Sequence, residues 1–168
     1  MITKIISGGQ TGADRTALEV AYEHGIPTGG HCPKNCRIDT GWDPELKSKY
    51  GLEETDSSSY VPRTILNTQN SDGTVWFGST SSPGYLCTLK GVNKNYKLMI
   101  CNPTPEELIH WITLNKVRVL NVAGNRQRTN PGIIKLVRDT LTETIRLLKS
   151  SKIPSKDWRE VLIGGGCE

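Results

Sequence analysis

The sequence lacks any long apolar run and has few aromatic residues. Apolar residues make up 35% of the 168 positions, aromatic residues make up 6%, and phenylalanine occurs once. No apolar stretch approaches the length of about 18 residues that a membrane-spanning helix needs. The first residues also lack the charged, apolar and small-residue regions of a secretory signal peptide. These absences argue against a membrane span and predict no membrane partner.

The chain also lacks a strong excess of one charge and any cysteine pattern typical of a disulfide framework. It carries 21 basic and 17 acidic residues, which gives a net charge of +4, with no long run of one sign. This balance mildly favours an anionic small molecule as partner and argues against nucleic acid. The five cysteines are odd in number and irregularly spaced, which predicts a reducing compartment and a cytoplasmic location.

No internal repeat and no Pro/Ser-rich linker divides the chain, so residues 1–168 are predicted to form one domain. Residues 31–58 are polar and are interpreted as an irregular excursion with one helical turn, and no element is assigned to the tail 151–168. Elsewhere short apolar runs alternate with amphipathic segments, which predicts an α/β protein whose mostly parallel sheet has helices on both faces. The predicted strands are 2–6, 74–77, 97–100 and 117–122, and the predicted helices are 12–24, 59–69, 104–115, 130–148 and one that begins at 82–84.

Three segments rich in small and polar residues each follow a predicted strand and open a helix. They are Ser7–Gly12, Gly78–Gly84 and Gly124–Gly132. In an open parallel sheet such loops meet at the carboxyl edge, where helix N-termini favour phosphate or another oxyanion. One such turn also serves packing alone, but three at one edge predict a ligand site. The first loop matches neither the Walker A nor the G-x-G-x-x-G pattern, so the usual ATP hydrolase and dinucleotide oxidoreductase fingerprints are absent.

Five groups of residues, in order along the chain, carry a resemblance to a known family. They are Ser7–Arg15, Gly29–Lys34, Glu54–Asn67, Ser71–Thr74 and Asn121–Ile133. This series closely resembles the family of putative molybdenum carrier proteins, also described as circularly permuted YpsA-like. That family belongs to a Rossmann-like group with the LOG (lysine-decarboxylase-like) proteins and the DNA-processing protein A fold. The resemblance therefore implies a Rossmann-like three-layer sandwich, and a nucleotide-like ligand or the molybdenum cofactor as bound ligand.

The loops and the resemblance together predict a binding protein that holds a phosphate-bearing ligand at the carboxyl edge, with the molybdenum cofactor or a nucleotide as the candidate bound ligand and no cofactor assigned beyond these. Related proteins form oligomers, so a homo-oligomer, dimeric or larger, is also expected. The predicted ligand-binding residues are Ser7, Gly8, Gly9, Gln10, Thr11, Gly12, Arg15, Lys34, Tyr60, Arg63, Ser79, Thr80, Gly84, Gly124, Asn125, Arg126, Pro131 and Gly132. Arg128 could add charge at the same edge.

The sequence departs from the family pattern beside the expected pocket. His31 stands where the family usually has tryptophan, Asn125 stands where it has proline, and an insertion alters the stretch 34–37. These departures bear on which ligand is bound rather than on the fold. The Pro-Gly-Gly-x-Gly-Thr motif of the phosphoribohydrolase relatives is absent, which argues against an N-glycosidase.

Two other functions remain open from the sequence. A nucleotide hydrolase, acting on an N-glycosidic or phosphate bond, would use Glu54 or Asp14 as the candidate catalytic acid to polarise water, with Arg126 on the phosphate. A sensor or sequestering protein would instead bind a nucleotide signal such as an ADP-ribose derivative. The absence of an evident nucleophile or acid/base pair favours binding over catalysis.

A metal site is not expected. His31, Cys32 and Cys36 are suitable zinc ligands, but the cysteines are four apart and no fourth ligand is obvious. Two further residues are assigned to structure rather than chemistry. Asp72 lies in an Asp-Gly turn at the start of a strand, and Trp76 lies within that strand, which favours the core.

Overall fold

Five parallel strands form the central sheet, with the order β2–β1–β9–β7–β8. A computed structural model of the protein describes residues 1–150. Its elements, in chain order, are β1 (Lys4–Ser7), α1 (Ala13–Glu23), β2 (Thr28–Gly29), β3 (His31–Cys32), β4 (Arg37–Ile38), β5 (Gly41–Trp42), α2 (Glu45–Ser48), β6 (Glu53–Glu54), α3 (Tyr60–Gln69), β7 (Gly73–Phe77), α4 (Pro83–Lys94), β8 (Leu98–Cys101), α5 (Pro105–Leu114), β9 (Val119–Gly124) and α6 (Ile133–Lys149). A 3-10 turn covers Lys34–Cys36. The predicted Rossmann-like α/β architecture is confirmed.

The two faces of the sheet are covered by different helices and have different chemistry. Helices α1 and α5 both pack against α6, whereas α3 and α4 pack against each other. Because alternate strand residues point to opposite faces, Val75 and Phe77 of β7 enter the apolar core that includes residues of α1, α5 and α6. Their neighbours Thr74 and Trp76 point to the α3–α4 side. Trp76 meets Tyr85 of α4 edge-on, with 5.5 Å between ring centroids.

Buried polar side chains lie on both faces of the sheet. On the side under α3 and α4, Asn121 of β9 donates from its Nδ2 to Thr74 Oγ1 at 3.1 Å. On the opposite side, Ser7 of β1 donates from its Oγ to the Val122 carbonyl at 2.7 Å. All three polar side chains are buried, and each is satisfied by a hydrogen bond within the sheet.

The helices begin where local capping chemistry predicts. Ser82 caps α4 by accepting the Tyr85 N–H at 3.2 Å, and Pro83 occupies the first turn. Thr104 and Glu107 form a capping box at the start of α5, where the sequence predicted a helix from residue 104. None of the helices within residues 1–150 is both long and apolar enough to cross a membrane.

The segment 31–58 differs from the irregular excursion predicted for it. It contains two short strand pairs, β3 with β6 and β4 with β5, together with α2. It also has a hydrophobic cluster of its own, which packs on α1 through Leu18. We call this group of residues the second cluster: Leu18, Cys32, Cys36, Leu46, Tyr50 and Leu52. Strands of two residues show too little periodicity to be predicted from sequence.

Asp72 fixes the start of β9. Its carboxylate accepts the N–H groups of Val119 at 2.8 Å and Arg118 at 2.9 Å. These two bonds, the Val119 bond first, lower the pKa of Asp72 below its ordinary value. Asp72 therefore has the structural role that its turn position predicted.

We expect Asp72→Ala to lower the free energy of unfolding by about 1 kcal/mol at neutral pH, because two hydrogen bonds to an exposed carboxylate are lost. A folded-state pKa below the unfolded value stabilises above the unfolded pKa, and this contribution disappears as pH falls through the folded value. Urea unfolding at neutral pH and at about pH 3 measures the difference, which should shrink in acid. Asp72→Asn keeps one acceptor oxygen, and its free energy of unfolding should lie between those of the original protein and Asp72→Ala. A loss that is equal at both pH values would contradict this role.

Candidate ligand-binding site

A cavity of about 390 Å³ lies at the carboxyl edge of the sheet, between α3 and α4. This volume is at the lower end of the range of about 300–1,000 Å³ typical of small-molecule sites. The loops after β1, β7 and β9 contribute to it, as do both helices. The lining residues are Gln10, Asp14, Tyr60, Val61, Arg63, Thr64, Trp76, Ser82, Pro83, Gly84, Cys87, Thr88, Ala123, Gly124, Asn125, Arg126 and Thr129.

The cavity contains part of the predicted ligand set and adds residues that the sequence did not indicate. The predicted residues that line it are Gln10, Tyr60, Arg63, Gly84, Gly124, Asn125 and Arg126, with the candidate acid Asp14. Outside the lining lie Ser7, Gly8, Gly9, Thr11, Gly12, Arg15, Lys34, Ser79, Thr80, Pro131 and Gly132, and also Glu54. The additions come mainly from the facing sides of α3 and α4. One available signal was the spacing of Gly84, Thr88 and Gly91, which leaves α4 without large side chains on its inner side.

Asp14 and Arg63 form a buried ion pair at the inner end of the first loop. Arg63 Nη1 donates to Asp14 Oδ2 at 3.0 Å, and Asp14 is 3% exposed. Burial raises the pKa of Asp14, although Arg63 and the nearby backbone N–H groups of Gln10 and Gly124 act in the opposite direction. The carboxylate of Asp14 therefore places a negative charge beside the first loop, whose N–H groups were predicted to hold the ligand's anion.

Glycine at position 8 allows this pairing, because a Cβ there would overlap the Arg63 guanidinium. The guanidinium lies against the loop backbone as a result. Gly8 thus leaves room for the Arg63 guanidinium, and it does not itself line the cavity.

Asn125 joins the loops after β7 and β9 to the start of α1. Its Oδ1 accepts the Ser79 N–H at 2.7 Å, and its Nδ2 donates to Ser82 Oγ at 3.3 Å. Its backbone carbonyl accepts the N–H of Ala13, the first residue of α1, at 3.1 Å. The first N–H of α1 is therefore satisfied within the protein, and it is not available to a ligand phosphate.

Arg126 supplies a positive charge that no carboxylate balances among residues 1–150. Its guanidinium lies 4.9 Å from the ring centroid of Tyr60, and the guanidinium groups of Arg37 and Arg63 lie 5.7 Å and 5.8 Å from the same ring. Arg63 is neutralised by Asp14, whereas Arg126 has no ion pair in the described part of the chain. The net charge of the cavity wall is therefore concentrated at Arg126.

Arg15 and Glu54 are bound to other groups. Arg15 forms ion pairs with Asp43 and, at 2.6 Å, with Glu45, which connect α1 to the segment 31–58, and it also pairs with Glu19 of α1 at 3.4 Å. Glu54 accepts the Asn35 N–H at 2.7 Å and pairs with Lys47 at 3.3 Å. The Asn35 bond and then the Lys47 bond lower the pKa of Glu54, so this exposed carboxylate is poorly suited to hold a catalytic proton.

The two cysteines of the second cluster are thiols in an apolar setting. Their sulfur atoms lie 3.7 Å apart, and both side chains are buried. Burial, with the neighbouring Cys36, raises the pKa of Cys32 to about 12, and a protonated thiol is a poor metal ligand. Within residues 1–150 no group of three or more His, Cys, Asp or Glu side chains is arranged to hold a metal ion.

Comparison with known proteins gives one family and one structural relative. The model of the Circularly permutated YpsA SLOG family matches residues 5–145. The chain is 35% identical to a crystal structure described as Putative molybdenum carrier protein from Syntrophus aciditrophicus SB, with a TM-score of 0.78. The match covers 86% of this chain and 95% of that one. No curated protein matches the sequence.

Proposed function

Because the chain belongs to the Circularly permutated YpsA SLOG family, we propose that it is a binding protein whose cavity holds a phosphate-bearing, nucleotide-like molecule or the molybdenum cofactor. The relative named Putative molybdenum carrier protein supports a small-molecule cargo. The observation that carries the proposal is Arg126, a guanidinium without an ion pair among residues 1–150, on the wall of a cavity at the carboxyl edge. Guanidinium binds phosphate through two parallel hydrogen bonds, and ligands of open α/β sheets bind at this edge.

Binding is favoured over hydrolysis because neither candidate acid is placed to activate water. Glu54 lies outside the cavity, and Asp14 lines it but is bound to Arg63 in a buried ion pair. A general base needs an accessible lone pair within hydrogen-bond reach of the proton it removes. A sensor or sequestering protein would use the same cavity. The homo-oligomer and the cytoplasmic location stay predictions.

We expect Arg126→Ala to weaken ligand binding by about 10- to 100-fold, because a charge-assisted bond to phosphate is lost in a partly buried site. Since the ligand is unidentified, the measurement compares what co-purifies natively with the original protein and with the variant, by mass spectrometry and metal analysis. A phosphate-bearing molecule should be retained by the former and depleted from the latter.

Arg128→Ala is the matched control. Arg128 is exposed and lies two residues further along the same loop, outside the cavity lining. Both variants remove one positive charge, so equal depletion would indicate a general charge effect and would contradict the assignment to Arg126. Release of a free base or of inorganic phosphate from nucleotides by the unmodified protein would contradict a purely binding role.

A further inference from the structure

Three buried hydrogen-bond donors have no partner among residues 1–150, and all three belong to residues that line the cavity. They are Gln10 Nε2, Arg63 Nε and Trp76 Nε1. Native proteins leave few buried polar groups unpaired, because each costs desolvation energy without a compensating bond. That the unpartnered groups are all donors indicates that the missing partner is rich in acceptors.

The amide of Gln10 is held in one orientation. Its Oε1 accepts the N–H groups of Asp39 at 2.9 Å and of Thr11 at 3.0 Å. Rotating the amide would place its NH₂ group against these two N–H groups, so Nε2 remains the group without a partner in the described part of the chain. Gln10 is 4% exposed. The protein therefore uses two backbone bonds to fix a side chain whose remaining function is to donate.

Trp76 is likewise fixed, on the floor of the cavity. It is 2% exposed, it meets Tyr85 edge-on, and it lies under Gly84, where a Cβ would be 3.4 Å from its Cη2. Its indole N–H can donate but cannot accept. Apolar packing alone would be served equally well by phenylalanine, which has no polar atom to satisfy.

We propose, as an extension of the proposed function, that the uncharged part of the ligand is a flat heterocycle with a ring oxo group. Its oxygen and ring nitrogen atoms accept from Gln10 Nε2 and Trp76 Nε1, two donors that neighbouring atoms cover and that binding would uncover, while its phosphate binds Arg126. An exocyclic amino group in place of the oxo group would bring donor against donor. The 6-oxopurines and the 4-oxopterins share this acceptor chemistry, and both are flat enough to pack on the aromatic side chains that line the cavity, Tyr60 and Trp76.

The test compares inosine 5′-monophosphate, which has a 6-oxo group, with adenosine 5′-monophosphate, which has a 6-amino group, by titration calorimetry on the full chain. Inosine 5′-monophosphate should bind at least about tenfold more tightly, because the amino group leaves a buried donor unpaired. A phosphorylated 4-oxopterin is the third probe. Tighter binding of the pterin assigns the oxo group to a pterin, and tighter binding of the inosine compound assigns it to a purine.

Gln10→Glu converts the donor into an acceptor while keeping an oxygen for the Thr11 and Asp39 N–H groups. The added negative charge weakens the binding of both nucleotides, so the readout is the ratio of the affinity for inosine 5′-monophosphate to that for adenosine 5′-monophosphate. This ratio should fall from about tenfold to near one. Trp76→Phe, which keeps a ring and removes the N–H, should lower the same ratio and provides a second variant if the first does not fold.

The outcomes separate this inference from the proposed function. If no phosphate-bearing probe binds, or if Arg126→Ala leaves binding unchanged, the proposed function fails. If binding depends on Arg126 but the two nucleotides bind equally, or if the ratio is unchanged in Gln10→Glu and Trp76→Phe, the proposed function stands and the oxo-group inference is overturned.

Discussion

Replacing Asp14 with alanine is expected to lower the free energy of unfolding by about 3–5 kcal/mol, the cost typical of leaving one member of a buried ion pair without its partner. Arg63 would keep its charge at 11% side-chain exposure, with Gly8 and Tyr60 around it and no carboxylate in contact. The negative charge near the N–H groups of Gln10 and Gly124 would be lost at the same time. Urea unfolding at neutral pH measures the difference.

Arg63→Met should destabilise the protein by a similar amount, because Asp14 then becomes the uncompensated charge. The double variant Asp14→Ala/Arg63→Met removes both charges and should be more stable than the sum of the two losses predicts. A double-mutant cycle measures this coupling, which should be at least about 1 kcal/mol. Additive losses would show that the two side chains act independently, and they would contradict the role of Asp14 as the internal anion of the glycine-rich loop.

The ion pair between Asp14 and Arg63 is a part of the site that the sequence could not predict. The glycine-rich loop after β1 and the helix that follows it were predictable from local composition, and the cavity does lie at that edge. Whether the loop's N–H groups face a ligand or a side chain depends on Asp14 meeting Arg63, which lies 49 residues further along the chain. No local pattern encodes a contact of that separation.

The same limit applies to the arginines. Arg15 and Arg126 both follow glycine-containing loops and were equivalent candidates for an anion site. Arg15 is neutralised by Asp43 and Glu45 of the segment 31–58, and Arg126 is not neutralised within residues 1–150. The strands and helix caps, in contrast, depend on residues that are close together in the sequence, such as Ser82 and Pro83 at the start of α4. The sequence therefore predicted the architecture more completely than the site.

The sequence predicted that Trp76 is buried, which is correct, but it did not indicate that Trp76 also lines the cavity. Its place in a predicted strand indicated a core position, and the side chain is 2% exposed. It also lines the cavity, together with the small residues Gly84 and Thr88 of α4. Only the packing of α3 on α4 reveals that a buried tryptophan there is also the floor of a cavity.

Leu46→Ala is expected to destabilise the protein by about 2–5 kcal/mol, because it removes a fully buried side chain from the second cluster and leaves a cavity. Leu46 also packs on the first loop, since a Cβ at Gly9 would lie 2.6 Å from its Cδ2. Urea unfolding measures the loss. Leu114→Ala on α5, where the side chain is 62% exposed, is the control and should stay within about 0.5 kcal/mol of the original protein.

The residues that lose hydrogen-exchange protection in Leu46→Ala show whether the second cluster is a separate unit or an extension of the main core. Leu46 belongs to a group of buried residues separate from the one that joins the sheet to α1, α5 and α6. Hydrogen exchange in Leu46→Ala should therefore accelerate first in residues 31–58, while β7 and β9 keep their protection. The Asp39 amide, which donates to Gln10 Oε1, should be among the first to exchange, and the orientation of Gln10 should be lost with it. Uniform acceleration across the sheet would instead mean that segment 31–58 and the sheet unfold as one unit.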